Sequence, residues 1–297
     1  MNADKEKFKN FSIEELIKKE YGIDDLISIL TFLRSPDGCP WDREQTHSSI
    51  KHNLIEEAYE AIDAIQAEDP DSLKEELGDV LMQVVFHAKI AEEDGKFDFN
   101  DVVTSISRKL ISRHTHVFGQ DVACDSAEVL RTWEKNKKIE KGQKSQTEVL
   151  RDVPRSLPAL TRAYKVQKRA AQVGFDWPDS SGSLAKIQEE LGEIKEQIEE
   201  AQKKLSAGEW SAADGQKAIE KESGDLLFAV VNYLRALKVE PEVALNFCTD
   251  KFIRRFAGME QLAKAGNRDL ESMTLEELDN LWDEIKLIEK REENESR

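Results

Sequence analysis

The stretch Leu54-Ile-Glu-Glu-Ala-Tyr-Glu60, followed by Glu76-Leu-Gly-Asp79, decides the fold of this chain. At about 100° per residue, the three glutamates of the first segment share one arc of a helix. The two acids that bound the second segment are three residues apart and also share a face. Like charges at this spacing repel each other, so two such helices packed together need a cation between their carboxylates. Because hard divalent cations prefer oxygen ligands, the pattern predicts a Mg²⁺ site, with Mn²⁺ as an alternative.

The same layout recurs in the second half of the chain, as Glu189-Glu-Leu-Gly-Glu193 followed by Glu222-Ser-Gly-Asp225. A single glutamate-rich helix is most often a solvated surface, and this is the main alternative interpretation. The residues that follow Glu76 and Asp79 argue against a solvated surface. Val80-Leu-Met-Gln-Val-Val-Phe-His-Ala88 is apolar nearly all round, which indicates a buried helix. The repetition of this arrangement favours metal binding.

Other features are also repeated, which indicates a duplicated domain. The matching pairs are Lys109 and Lys251, Arg113 and Arg255, and Trp133 and Trp282. No strand pattern competes anywhere, so we predict an all-α protein with two tandem helical-bundle domains. We place the first domain at residues 1–142, a connection at 143–158 and the second domain at 159–297.

The helices that carry the acidic segments have recognisable ends. They are predicted at 48–67, from Ser72 to about Glu93, at 184–205 and at 217–237. Ser72 with Glu75, and Thr274 with Glu277, have the spacing of a helix capping box. We expect the helix over 217–237 to be buried, as its counterpart is.

Composition limits the possible functions. A formal charge of −17 argues against a basic face for nucleic acid, but a bound metal would still allow the protein to bind a nucleotide. The sequence has no apolar run near the length that spans a membrane. Its three cysteines are an odd number without metal-ligand spacing, so we predict reduced thiols and a cytoplasmic location.

The pattern EExxE, then ExxD, then a downstream Lys-x3-Arg resembles the MazG nucleoside triphosphate pyrophosphohydrolases in their tandem two-domain form. The resemblance covers almost the whole chain. It implies two MazG-like all-α domains, Mg²⁺ dependence, and hydrolysis of nucleoside triphosphates such as ATP to monophosphate and pyrophosphate. A role in nucleotide-pool sanitation is the corresponding expectation.

The resemblance also assigns roles to residues. It implies metal ligation by Glu190, Glu193, Glu222 and Asp225 in the second copy, and by Glu57, Glu60, Glu76 and Asp79 in the first. A neighbouring carboxylate that does not bind metal would orient the attacking water; Glu189, or Glu56 in the first copy, is predicted for this catalytic role. The predicted nucleotide-binding residues are Lys186, Lys251, Arg255 and Trp282.

Two of these assignments have structural alternatives. Lys251 and Arg255 lie one helical turn apart and suit the outer phosphates, but they could instead pair with surface acids. Trp282 could stack on a base or serve as a large apolar anchor for its helix.

We predict that the second copy is the catalytic one, because the first copy has Asn53 in place of Lys186 and Phe86 in place of Asn232. An apolar helix in so short a domain also predicts a homodimer, in which another copy covers that surface.

Two rival functions remain at this stage. A ferritin-like di-metal oxidoreductase needs two Glu-x-x-His pairs, and only Glu44 with His47 fits that pattern. All five histidines lie in the first half of the chain, so no role shared by both copies uses histidine. A helical scaffold without activity leaves the acids on apolar helices unexplained.

Overall fold

The computed structural model describes Ile17 and residues 19–295, and the regular structure in that part of the chain is entirely helical. The all-α prediction is therefore confirmed. The chain divides into two compact units, Met1–Lys137 and Lys138–Arg297. Within the described residues, none of the helices combines the length and the apolar character needed to cross a membrane.

The first unit is organised around a helical hairpin. Its helices are α1 (Ile23–Leu33), α2 (Pro40–Glu44), α3 (Asn53–Gln66), α4 (Pro70–Glu93), α5 (Phe99–Arg113) and α6 (Thr115–Phe118), and α7 (Ser126–Glu140) begins in it. Helices α3 and α4 pack along each other, and α1 packs against α4. The core consists of Leu30, Ile50, Val85, Phe86 and Ile90. This packing fixes α4, which carries two of the predicted metal ligands.

Helix α4 begins earlier than the sequence pattern predicts. Asp69, not Ser72, is the N-cap: its side chain accepts hydrogen bonds from the backbone N–H groups of Asp71 and Ser72. Pro70 occupies the first helical position, where its fixed φ suits the helix and its missing N–H costs nothing. At the other end, the helix stops at Glu93 as predicted.

The second unit repeats the hairpin with longer helices. Its elements are α8 (Gln146–Arg151), α9 (Ala159–Ala171), α10 (Ser180–Ser206), α11 (Ala212–Ala236), α12 (Pro241–Ala265), a 3₁₀ turn (Leu270–Ser272) and α13 (Leu275–Glu295). Helices α10 and α11 form the hairpin, and α9 packs against α11. A core of Met259, Ala263, Leu281 and Ile285 joins α12 to α13. Helix α8 lies within the predicted connection, which is therefore partly helical.

The capping box predicted at the start of α13 is present. The backbone N–H of Thr274 donates to Glu277 Oε2 at 2.8 Å, and the N–H of Glu277 donates back to the Thr274 hydroxyl. These reciprocal bonds satisfy backbone donors that the first helical turn cannot satisfy by itself.

Helix α11 is buried on one face only, contrary to the prediction that it is buried throughout. Ala229 and Val231 are buried, but Leu227 is 58% exposed and Phe228 46% exposed. Gln167 of α9 donates a hydrogen bond to the Phe228 backbone carbonyl at 2.8 Å, so α9 covers one side of the helix. The other side remains an open apolar surface.

Candidate metal and nucleotide site

The hairpin of the first unit holds a cluster of carboxylates. Ligand oxygens of Glu57, Glu76 and Asp79 all lie within 4.8 Å of one another. Helix α3 supplies the first of these side chains and α4 the other two. Glu60 is outside this group, but burial and the negative charges of Asp79 and Glu60 raise the pKa of Glu57. Burial and the charges of Glu60 and Asp79 likewise raise the pKa of Glu76, so the cluster is electrostatically strained without a cation.

The hairpin of the second unit holds the corresponding cluster. Ligand oxygens of Glu190 and Glu193, from α10, and of Glu222, from α11, all lie within 4.8 Å of one another. The charge of Glu190, followed by burial, raises the pKa of Glu193. Asp225 lies one turn beyond Glu222, is exposed, and is not part of this three-residue group. The structure therefore brings together three of the four ligands predicted in each copy.

Glu190 is the carboxylate best suited to a metal ion. Its residue is only 5% exposed, and its Oε1 forms an ion pair with Lys186 Nζ at 2.6 Å. Its Oε2 is buried and has no hydrogen-bond partner among the described residues. A buried carboxylate oxygen left without a partner is costly, and a divalent cation shared with Glu193 and Glu222 would satisfy it.

Lys186 bridges Glu190 of the second cluster and the neighbouring Glu189. Its Nζ lies 2.6 Å from Glu190 and 2.9 Å from Glu189, and these two carboxylates raise the pKa of Lys186 above its usual range. The first copy has Asn53 at this position, so its cluster lacks the corresponding positive charge. The two sites therefore differ in charge although they share a hairpin geometry.

The arginine of the downstream Lys-x3-Arg is held by Glu289, a residue to which the sequence pattern gave no role. Glu289 of α13 accepts a hydrogen bond from Arg255 Nε at 2.8 Å and from Arg254 Nε at 3.2 Å. Lys251, one turn away, is exposed. The available signal was the repeated Ile-Glu-Lys after each tryptophan, in which Glu289 is the central residue.

Trp282 packs within its own unit. Its ring lies 5.0 Å from that of Phe252, and the Arg255 guanidinium lies 5.7 Å from its ring centroid. The first unit repeats this contact, with the Arg113 guanidinium 5.2 Å from the Trp133 ring. The tryptophan ring thus lies against the arginine in both copies, and the stacking of Trp282 on a base stays a prediction.

The histidines do not join either carboxylate cluster in the described part of the chain. His47 and His87 instead contact each other, with 2.8 Å between their Nδ1 atoms and stacked rings. Burial and the neighbouring His47 lower the pKa of His87. The ligand set that a ferritin-like oxidoreductase requires is not assembled by these residues.

Comparison with known proteins agrees with the geometry. The family model described as the MazG nucleotide pyrophosphohydrolase domain matches residues 45–118 and 180–257. A nucleoside triphosphate pyrophosphohydrolase of Escherichia coli (strain K12) is 45% identical over 265 residues, which cover 89% of this chain and 97% of that protein. The nucleoside triphosphate pyrophosphohydrolase/pyrophosphatase MazG of Thermotoga maritima is 45% identical over 270 residues, covering 90% and 98%. An uncharacterized protein, YabN of Bacillus subtilis, is 46% identical over 264 residues, covering 89% of this chain and 51% of its own length.

Proposed function

This chain belongs to the MazG family of nucleotide pyrophosphohydrolases, and we propose that it hydrolyses the α–β phosphate bond of nucleoside triphosphates with the help of Mg²⁺. Its relatives of nearly equal length support the assignment as a hydrolase that acts on the acid anhydride of a nucleoside triphosphate. The observation that supports a bound Mg²⁺ is the cluster of Glu190, Glu193 and Glu222, in which a buried oxygen of Glu190 has no hydrogen-bond partner within the part of the chain that the structure describes.

The donor set suits a hard divalent cation. Glu190, Glu193 and Glu222 would hold it, with Asp225 one turn away as a further oxygen donor. A bound divalent cation neutralises phosphate charge and polarises the phosphoryl oxygens. Mn²⁺ prefers the same oxygen donors, so it is a workable substitute for Mg²⁺.

Glu189 is the residue that we assign to the attacking water. It lies beside Glu190 on α10, is exposed, and pairs with Lys186 Nζ in this structure. When the Lys186 ammonium turns to a substrate phosphate, the Glu189 carboxylate is free to accept a proton from water as the water oxygen bonds to the α-phosphorus. The bond from the α-phosphorus to its bridging oxygen breaks, and pyrophosphate leaves with that oxygen.

Arg255 and Lys251 are assigned to the outer phosphates. Glu289 and Trp282 hold Arg255 through its Nε and its face, which leaves its terminal nitrogens available for phosphate oxygens. These cations and the metal would together balance the roughly four negative charges of a triphosphate.

We assign catalysis to the second copy. Its cluster has Lys186 paired with Glu190, whereas the first copy has Asn53 at that position and the buried Phe86 in place of Asn232. The first copy then retains the hairpin mainly for structure.

The same proposal includes a homodimer, because the open apolar surface of α11 includes Leu227 and Phe228. Sedimentation velocity at micromolar concentration is expected to give twice the mass of the 33.9 kDa chain. The double variant Leu227→Lys, Phe228→Lys is expected to shift the protein toward the monomer. A wild-type protein that sediments as a monomer over the same concentrations contradicts this expectation.

The reaction products provide a direct test of the bond that is cleaved. With ATP and Mg²⁺, we expect AMP and pyrophosphate in equal amounts and no ADP at any time, because water attacks the α-phosphorus. Chromatography of quenched time points, with pyrophosphate and orthophosphate measured separately, checks this expectation. Steady release of ADP and orthophosphate would show that the γ-phosphate is attacked instead.

We assign the activity to nucleotide-pool sanitation in the cytoplasm, since hydrolysis to monophosphate removes a triphosphate from use by polymerases. The net charge of −17 supports free nucleotides as partners over nucleic acid or an anionic membrane surface. This role is tested by measuring kcat/KM for deaminated and oxidised triphosphates and for the four standard ones. Higher values for the deaminated and oxidised triphosphates would support it.

A further inference from the structure

Two histidines of the first unit meet in a contact that none of the roles assigned above uses. His87 lies on α4, and His47 lies in the segment that joins α2 to α3. Both residues are partly buried. Their Nδ1 atoms are 2.8 Å apart, and their ring planes are 8° from parallel. A distance of this size between two nitrogens is that of a hydrogen bond, so the pair links the segment to the helix.

The contact requires one proton between the two rings. In a neutral imidazole one ring nitrogen is a donor and the other an acceptor, whereas both nitrogens of an imidazolium are donors. The bond between the Nδ1 atoms therefore forms when both rings are neutral, and also when one of them is charged. Two imidazolium rings would point N–H groups of like charge at each other. The link is consequently lost when the second proton binds.

The neighbouring charges determine which histidine takes the first proton. The pKa of Asp94, just after α4, is lowered by its hydrogen bond and ion pair with Lys96 and, to a smaller extent, by the charge of His47. The Asp94 carboxylate in turn favours a charged His47. Burial, followed by the neighbouring His47, lowers the pKa of His87. His47 is therefore the first to be charged, and His87 takes the second proton.

Helix α1 brings one further charge to this region, and that charge is balanced. The buried Arg34, at the C-cap of α1, forms an ion pair with Glu93 of α4 at 2.7 Å. Its Nη1 also donates to the backbone carbonyl of Gln45, two residues before His47, at 3.1 Å. Arg34 thus provides a second link between the segment and α4, and this link does not titrate near neutral pH.

The other helices packed on α4 contribute different groups. Helix α3 contributes the Glu57 carboxylate, which is hydrogen-bonded to Gln83, one turn before His87. Helix α5 contributes the apolar Phe99 to the core of the unit. Among the described residues, His47 is the charged neighbour that shifts the pKa of His87. The two histidines therefore titrate as a pair, in two steps.

The segment that His47 holds positions the start of α3. It forms a compact turn, in which the Thr46 backbone N–H donates to the Ser49 hydroxyl at 2.9 Å and the Ser49 N–H donates to the Thr46 hydroxyl at 3.2 Å. Ile50 follows directly and is buried in the core. Release of His47 would loosen the turn, while Ile50 keeps the segment attached to the core.

We propose that His47 and His87 form a pH-sensitive clamp, which holds the segment before α3 on α4 at neutral pH and releases it when both rings are protonated. The closed clamp binds fewer protons than the unfolded chain does. It therefore stabilises the first unit above the ordinary histidine pKa of about 6.5, and this contribution is lost as the pH falls through the lower folded-state pKa of His87. The second half of the chain has no histidine, so the clamp belongs to the first unit alone.

The Hε1 and Cε1 NMR signals of the five histidines provide a direct test. We expect His47 and His87 to titrate in two separate steps, the lower one below the ordinary histidine value. In His87→Gln we expect a single step for His47, because an amide takes no proton in this range. His52→Gln is the matched control, since His52 is exposed at the N-cap of α3, and it should leave both steps in place. A single unshifted step for both histidines in the wild-type protein would overturn the clamp.

Hydrogen exchange measures whether this titration releases the segment. The amides to follow are those of Thr46, Ser49 and Ile50, which are hydrogen-bonded within the turn. After correction for the intrinsic exchange rate, we expect their protection in the wild type to fall about tenfold from pH 7 to pH 5, the size of one hydrogen bond. His87→Gln should keep its protection, because its amide can donate to a neutral His47 or accept from a charged one.

The control variant His52→Gln should lose protection as the wild type does. Unchanged protection in the wild type, or a loss of the same size in His87→Gln, would contradict the release of the segment. Circular dichroism at both pH values checks that the helices of each variant are intact.

Discussion

Excess EDTA is expected to abolish nucleoside triphosphate hydrolysis, and added Mg²⁺ or Mn²⁺ to restore it. The physical reason is charge: a triphosphate with roughly four negative charges cannot approach Glu190, Glu193 and Glu222 unless a cation stands between them. The measurement is the initial rate of AMP formation across a titration of free Mg²⁺. Full activity in excess chelator would contradict the metal hypothesis.

Metal binding should also be visible without substrate, as a rise in melting temperature. A metal at 100 times its Kd adds about 2.7 kcal/mol of stability, which corresponds to about 5 °C or more for a unit of this size. The pKa values of Glu57, Glu76 and Glu193 are raised in the folded protein. Without metal, the contribution of these carboxyl groups to the stability of the folded state is therefore most favourable at low pH, where they are protonated. It becomes less favourable as the pH rises through their folded-state pKa values. Metal requires the ionised carboxylates, so its stabilisation should be larger at pH 7.5 than at pH 5. Calorimetry at both pH values checks the sign.

Glu190→Gln is expected to lower kcat for ATP about 100-fold or more, which is about 3 kcal/mol of transition-state stabilisation. The substitution keeps the shape of the side chain and removes the charge of the most buried ligand in the cluster. It relieves the repulsion with Glu193 but also weakens the ion pair with Lys186, and because these effects oppose each other, the free energy of unfolding of the metal-free protein should change little. A loss of similar size is expected from Asp225→Asn, if Asp225 completes the ligand set when the metal binds.

The matched changes in the first copy provide the control. Glu57→Gln and Asp79→Asn remove charges at the positions that match Glu190 and Asp225, but the first hairpin lacks a counterpart of Lys186, so we expect far smaller losses in kcat. Circular dichroism should show unchanged helix content for all four variants. If activity collapses only in the first-copy variants, the assignment of the copies is reversed. Equal partial losses in both sets would indicate two working sites.

The sequence predicted most where local chemistry decides the structure. The capping box of Thr274 and Glu277 was predicted correctly, because its bonds join residues three positions apart. The start of α4 was misplaced, because Asp69 and Ser72 both have side chains that cap helices and only the backbone conformation selects between them. The extent of burial along α11 was overestimated, because an apolar pattern specifies which surface avoids water but not which element covers it.

By itself, the sequence determined the all-α class, the family and the duplicated acidic hairpin, since each follows from residue types at fixed spacing along one helix. Only the tertiary structure decided which of these residues meet. It joined Glu190 to Glu222 across two helices, paired Lys186 with Glu190, and tied Arg235 to Asp176 beside Asn232. Contacts between helices depend on their packing and rotation, and sequence spacing within one helix specifies neither.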